Sequence, residues 1–179
     1  MATIREIKRR ITSVKNINQV TRALEAVSAS NVRKSQAAVL ASRAYAQRAY
    51  DVLVNVAAQS QGTPLHPLLE VHDRDTAITV LLITGDRGLA GAYNSNVLRR
   101  AQTFVTQYER PVRWVTVGRK GRDLLRSWIA RIQDDENAPA ALKDQTIIAS
   151  FSNMPADPDI GDVTDITHVL FDDFLSVPV

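Results

Sequence analysis

Ile4-Arg-Glu-Ile-Lys-Arg-Arg-Ile-Thr-Ser-Val-Lys-Asn-Ile-Asn-Gln-Val-Thr-Arg-Ala-Leu-Glu-Ala-Val27 is the stretch whose reading decides the architecture. Ile4, Ile7, Ile11 and Val14 step by three and four residues, the spacing of a coiled-coil seam. Ile17, Val20, Leu24 and Val27 are expected to continue it across a three-three step that overwinds the coil locally. Neither Gly nor Pro occurs before Gly62, and twelve of the first sixty residues are Ala. Strong helix formers without a breaker predict one helix from Thr3 to Gln59. At 1.5 Å per residue it is roughly 85 Å long, too long to hide its apolar stripe within its own domain. Beyond Val27 the stripe thins into Ala29, Ala37, Ala38, Ala41 and Ala44, and Tyr45, Tyr50, Leu53 and Val56 restore bulk.

The charge of this helix is one-sided. Residues 1–60 hold ten Lys and Arg against three acids, whereas residues 61–179 hold twelve against sixteen. Arg5, Lys8, Arg9, Arg10, Lys15 and Arg22 surround the first seam with Glu6 the one acid nearby, so pairing within the helix cannot neutralise them. A lone surface cation is ordinarily just solvated. A cluster this dense asks for an anionic neighbour, either a nucleic acid or an acidic protein collar.

Several function classes drop out on composition. The chain has no Cys, which removes disulfides and thiolate metal sites. Its longest apolar run, Ala77 to Ile83, broken only by Thr79, is far short of the ~20 residues that cross a bilayer. The N-terminus lacks the apolar core of a secretory signal. His66, His72 and His168 show no metal-ligand spacing, and no catalytic Ser/His/Asp set or carboxylate pair is legible, so no metal, cofactor or catalytic residue is expected.

Residues 61–76 read as a linker opened by Gly62-Thr-Pro-Leu-His-Pro67, and residues 77–179 as an α/β domain. Ala77-Ile-Thr-Val-Leu-Leu-Ile83, apolar on both faces, predicts a fully buried strand. A glycine-rich turn follows, and Asn94 or Ser95 is expected to cap a helix reaching about Tyr108. Pro111–Val117 and Thr146–Phe151 predict further strands, with a helix after Gly118 running to about Ile132 and an acidic loop from Asp134 to Ala140. Val163, Ile166, Val169, Leu170 and Phe174 recur at helical spacing behind Asp159 and Asp162, which favours a final helix over a strand at Ile166–Phe171. Strands alternating with helices imply a Rossmann-like, mainly parallel sheet with right-handed crossovers.

Two strand-to-helix turns could hold an anion. Gly85, Gly88 and Gly91 are each three apart, which fits neither the Walker loop nor the dinucleotide fingerprint. Tight turning and close packing explain these glycines better than a nucleotide. Gly118-Arg-Lys-Gly121 likewise reads first as a surface turn.

Three stretches together resemble the gamma subunit of rotary ATP synthases: Ile4–Asn16 continuing through Val20–Val27 to Arg33-Lys-Ser-Gln36, then Asp86-Arg-Gly-Leu-Ala-Gly-Ala-Tyr-Asn-Ser95, then Gly118-Arg-Lys-Gly121. The resemblance implies a non-catalytic rotor. Its N- and C-terminal helices form a shaft inside a ring of alpha and beta subunits, and its α/β foot meets the epsilon subunit and the membrane c-ring. It implies a peripheral place on the cytoplasmic face of a bacterial plasma membrane, without a membrane span and without nucleic acid. Carried onto this sequence, it puts partner-binding shaft positions at Arg5, Lys8, Arg9, Arg10, Ile11, Val20, Arg22, Leu24 and Val27, with the beta-facing stretch at Val20–Val27. It makes Gly85, Asp86, Arg87, Gly88, Leu89, Gly91 and Asn94 a structural signature turn, and puts Gly118, Arg119, Lys120 and Gly121 on the foot. Leu24 stands where family members often carry Met, and Ala90 where many carry Cys. The family's final strand and long C-terminal helix have no counterpart in these 179 residues, so the resemblance is to an N-terminal portion. An uncovered seam then predicts self-association.

Two other functions compete with that reading. A nucleotide-dependent α/β enzyme would use the Gly85–Gly91 turn. A basic coiled-coil nucleic-acid binder would show steeply salt-dependent affinity, but Tyr45 and Tyr50, the helix's aromatics, lie far from the basic cluster.

Overall fold

The computed structural model describes residues 3–59, 66–69, 77–108, 110–155 and 157–176. They form two units, divided between Gln59 and Ser60.

The first unit is one helix, α1 (Ile4–Gln59), 56 residues without interruption. It starts on a reciprocal cap: the Thr3 amide donates to Glu6 Oε2 at 2.9 Å and the Glu6 amide donates to Thr3 Oγ1 at 3.4 Å, satisfying two donors that a helix start leaves free. Inside the helix, Thr12 and Thr21 hydroxyls donate back to the carbonyls of Lys8 and Ile17. No residue of α1 is buried. The linker expected over 61–76 lies outside the described residues, apart from a 3-10 turn at Pro67–Leu69.

In the second unit β1 (Ile78–Ile83), β2 (Val112–Val117) and β3 (Gln145–Phe151) form a three-stranded parallel sheet in that order. Helices fill the connections: α2 (Tyr93–Thr106) between β1 and β2, then α3 (Arg119–Asp134) and the short α4 (Ala140–Lys143) between β2 and β3. The segment α5 (Ile160–Leu175) closes the described chain and is the helix its spacing predicts. Asp159 and Asp162 exchange side-chain and backbone hydrogen bonds at its start, at 3.1 and 2.9 Å, so the local acids set where it begins.

Side chains alternate across the sheet. Val112 and Trp114 of β2 join Leu82 of β1, Leu98 and Val105 of α2, and Leu125 and Ile129 of α3 in one core. Val115 and Val117 point the other way, to Ile166, Val169 and Leu170 of α5. Burying an aliphatic side chain such as Val105 or Leu125 contributes about 1.5–3 kcal/mol, which makes these two layers the main source of the unit's stability. Trp114 also meets the edge of Trp128 at 6.2 Å, and its indole N–H donates to Gln145 Oε1 at 2.8 Å. That bond satisfies the one polar atom of a ring with no exposure.

Two local expectations need correcting. The strand read as fully buried, β1, is an edge strand in which Leu82 alone is buried and Ile83 is 57 % exposed. The fully enclosed strand is β2, because it has neighbours on both sides and helices over both faces. Its sequence, Val-Arg-Trp-Val-Thr-Val, looked less apolar than that of β1. The helix α2 is capped by neither Asn94 nor Ser95: it begins at Tyr93 after Ala92, with no side-chain cap. Asn94 is instead buried and used elsewhere.

Candidate functional site

The carboxyl ends of parallel strands are where open α/β sheets hold ligands, and here the loops at those ends are bound to one another. Thr84 follows β1, and its amide donates to the Val117 carbonyl at 2.8 Å. Its hydroxyl donates to the same carbonyl at 3.1 Å and accepts from the Gly121 amide at 2.9 Å. The next residue, Gly85, donates to Asn94 Oδ1 at 3.0 Å and accepts from the Lys120 amide at 3.1 Å. This is the use to which the buried Asn94 is put. It ties the start of α2 to the end of β1.

Asp86 completes the lock. Its Oδ1 accepts from the Arg119 amide at 3.0 Å, and its Oδ2 from the Asn153 amide at 2.9 Å. One carboxylate thus joins the β1 loop to the first residue of α3 and to the loop after β3. The Arg119 guanidinium adds an ion pair at 3.6 Å, weakened by the exposure of its side chain. A helix N-terminus favours an anion, and Asp86 is that anion. A phosphate seated at the start of α3 would meet this carboxylate.

Glycine is required at two of these positions. Gly118 has φ +99°, and a Cβ there would collide with the Thr84 carbonyl; a Cβ at Gly121 would collide with the Thr84 side chain. The pair therefore lets the α3 turn close over Thr84. Beyond the lock, the outer part of the turn stands free. Arg87, Gly88 and Leu89 are exposed, Leu89 entirely, with φ +65°. Gly91 takes φ +54°. Arg119 and Lys120 point outward from the start of α3.

The sequence reading gathered these turn residues but missed Thr84, Asn153 and the cross-sheet pair of Arg113 and Asp173. Arg113 on β2 reaches Asp173 on α5 at 2.9 Å, and the Thr79 hydroxyl of β1 donates to the same carboxylate. A basic residue in the middle of an apolar strand was the available signal.

The shaft positions lie on the other unit. Arg5, Lys8, Arg9, Arg10, Ile11, Val20, Arg22, Leu24 and Val27 are all exposed on α1. Ile4, Ile7, Ile11 and Val14 are 48–76 % exposed. Among the described residues no Lys or Arg of α1 makes an ion pair. At 3.6 residues per turn, the quartets Ile4–Val14 and Ile17–Val27 face directions about 140° apart. The stripe expected to continue through the three-three step therefore presents two apolar faces, one above the other, and two neighbours could hold the helix at once.

A sequence model of the ATP synthase family matches residues 3–178. The chain is 41% identical over 177 residues to the ATP synthase gamma chain of Dehalococcoides mccartyi strain CBDB1, covering 98% of this chain and 56% of that one. It is 48% identical over 129 residues to the ATP synthase gamma chain of Herpetosiphon aurantiacus, covering 70% of this chain and 44% of that one. It is 48% identical over 127 residues to the ATP synthase gamma chain of Chloroflexus aurantiacus strain J-10-fl, covering 69% and 44%. The chain spans about half the length of these curated relatives.

Proposed function

Because the chain belongs to the ATP synthase gamma chain family, we propose that α1 is the shaft of a central-stalk rotor that carries torque between the membrane c-ring and the alpha–beta catalytic ring, with no catalysis of its own. One observation carries this reading: a 56-residue helix without a break buries none of its residues, and its cations find no ion-pair partner among the described residues. A helix that serves its own fold hides an apolar face. This one leaves its apolar faces and its cations open to partners.

The two apolar faces support a division of labour. The Ile4–Val14 face suits a second helix of the shaft, and the Val20–Val27 face suits the beta-subunit collar. The cations Arg5, Lys8, Arg9 and Arg10 suit acidic collar loops. Exposed ion pairs contribute about 0–1 kcal/mol each, weak enough to break at every step of a rotation. A shaft must also be stiff, and the absence of Gly and Pro from α1 keeps its hydrogen-bond ladder intact.

The locked turn serves the foot, where epsilon and the c-ring would join. By tying the ends of β1, β2 and β3 to the starts of α2 and α3, Asp86, Thr84 and Asn94 would let load pass through the unit without shearing the sheet. No helix of the described residues is long and apolar enough to cross a membrane; the peripheral place on the cytoplasmic face is inferred from the family alone.

Mixing the chain with alpha and beta subunits tests the reading. The expected result is one chain per ring by mass measurement, with affinity falling as salt rises. Failure to bind the ring would overturn it. Extended to the length of its relatives and reconstituted in vesicles, the Leu24→Lys variant should hydrolyse ATP yet pump poorly, because an unpaired cation would face the collar.

A further inference from the structure

We draw no further inference here: the strongest candidate, the exposed aromatic and basic patch of Tyr93, Arg100, Phe104 and Tyr108 along and just beyond α2, carries none, because nothing in the structure shows what covers it.

Discussion

The two units spend their polar groups in opposite ways. In the α/β unit, Thr84, Asp86 and Asn94 each satisfy a backbone amide from another part of the chain, and Arg113 finds Asp173 across two layers. In α1 the side-chain bonds are local, three or four residues apart, and the cations reach no acid among the described residues. Polar chemistry aimed inward fixes a shape. Polar chemistry aimed outward is available to others. Changes in the α/β unit should therefore leave the helix formed, and changes in α1 should abolish assembly without costing either unit its fold.

The largest effect is expected in the α/β unit. Gly121→Val should destabilise it by about 3 kcal/mol or more, because the branched side chain would enter the space of Thr84 and a packed interior yields little. Denaturant titration followed by Trp fluorescence reads this directly, since Trp114 and Trp128 both lie in that unit. Asp86→Ala should cost about 2–3 kcal/mol by stripping the Arg119 and Asn153 amides of a charged acceptor. Retention of wild-type stability by Asp86→Ala would erase the distinction between the two units.

Smaller effects sharpen the same contrast. Asp173→Asn should cost about 1 kcal/mol, since the Arg113 partner is partly exposed and its charge screened. On α1, Leu24→Lys should shift the chain's own unfolding by no more than about 0.5 kcal/mol, the usual range for exposed positions. Its effect should appear in coupling alone. Leu89→Gly should be neutral to slightly stabilising, within about 1 kcal/mol, because a left-handed backbone strains Leu and the side chain packs on nothing. Thermal unfolding with each variant beside wild type checks all three.

The helix was legible in the sequence because its evidence is local: seam spacing, Ala content and the lack of breakers are all within α1 itself. The parallel sheet was legible from the alternation of strands and helices. What stayed hidden depends on strand order. Nothing local tells that β1 lies at the edge and β2 in the middle, and so the more apolar segment was read as the buried one. Asn94 looked like a cap because it sits near a helix start after glycines, but its partner, Gly85, is across the turn. Asp86 was recognised as part of a conspicuous turn, while its task required knowing that the ends of β2 and β3 converge on it. Arg113 kept its secret for the same reason, since Asp173 is sixty residues away.

The carboxylate of Asp86 has one more consequence. Folds of this shape commonly recruit a small charged metabolite to the mouth of the sheet, and their loops then tighten or relax with its supply. Here the seat at the start of α3 is taken by a side chain of the protein. A unit that carries its own counter-charge at that seat keeps its three loops joined without outside help.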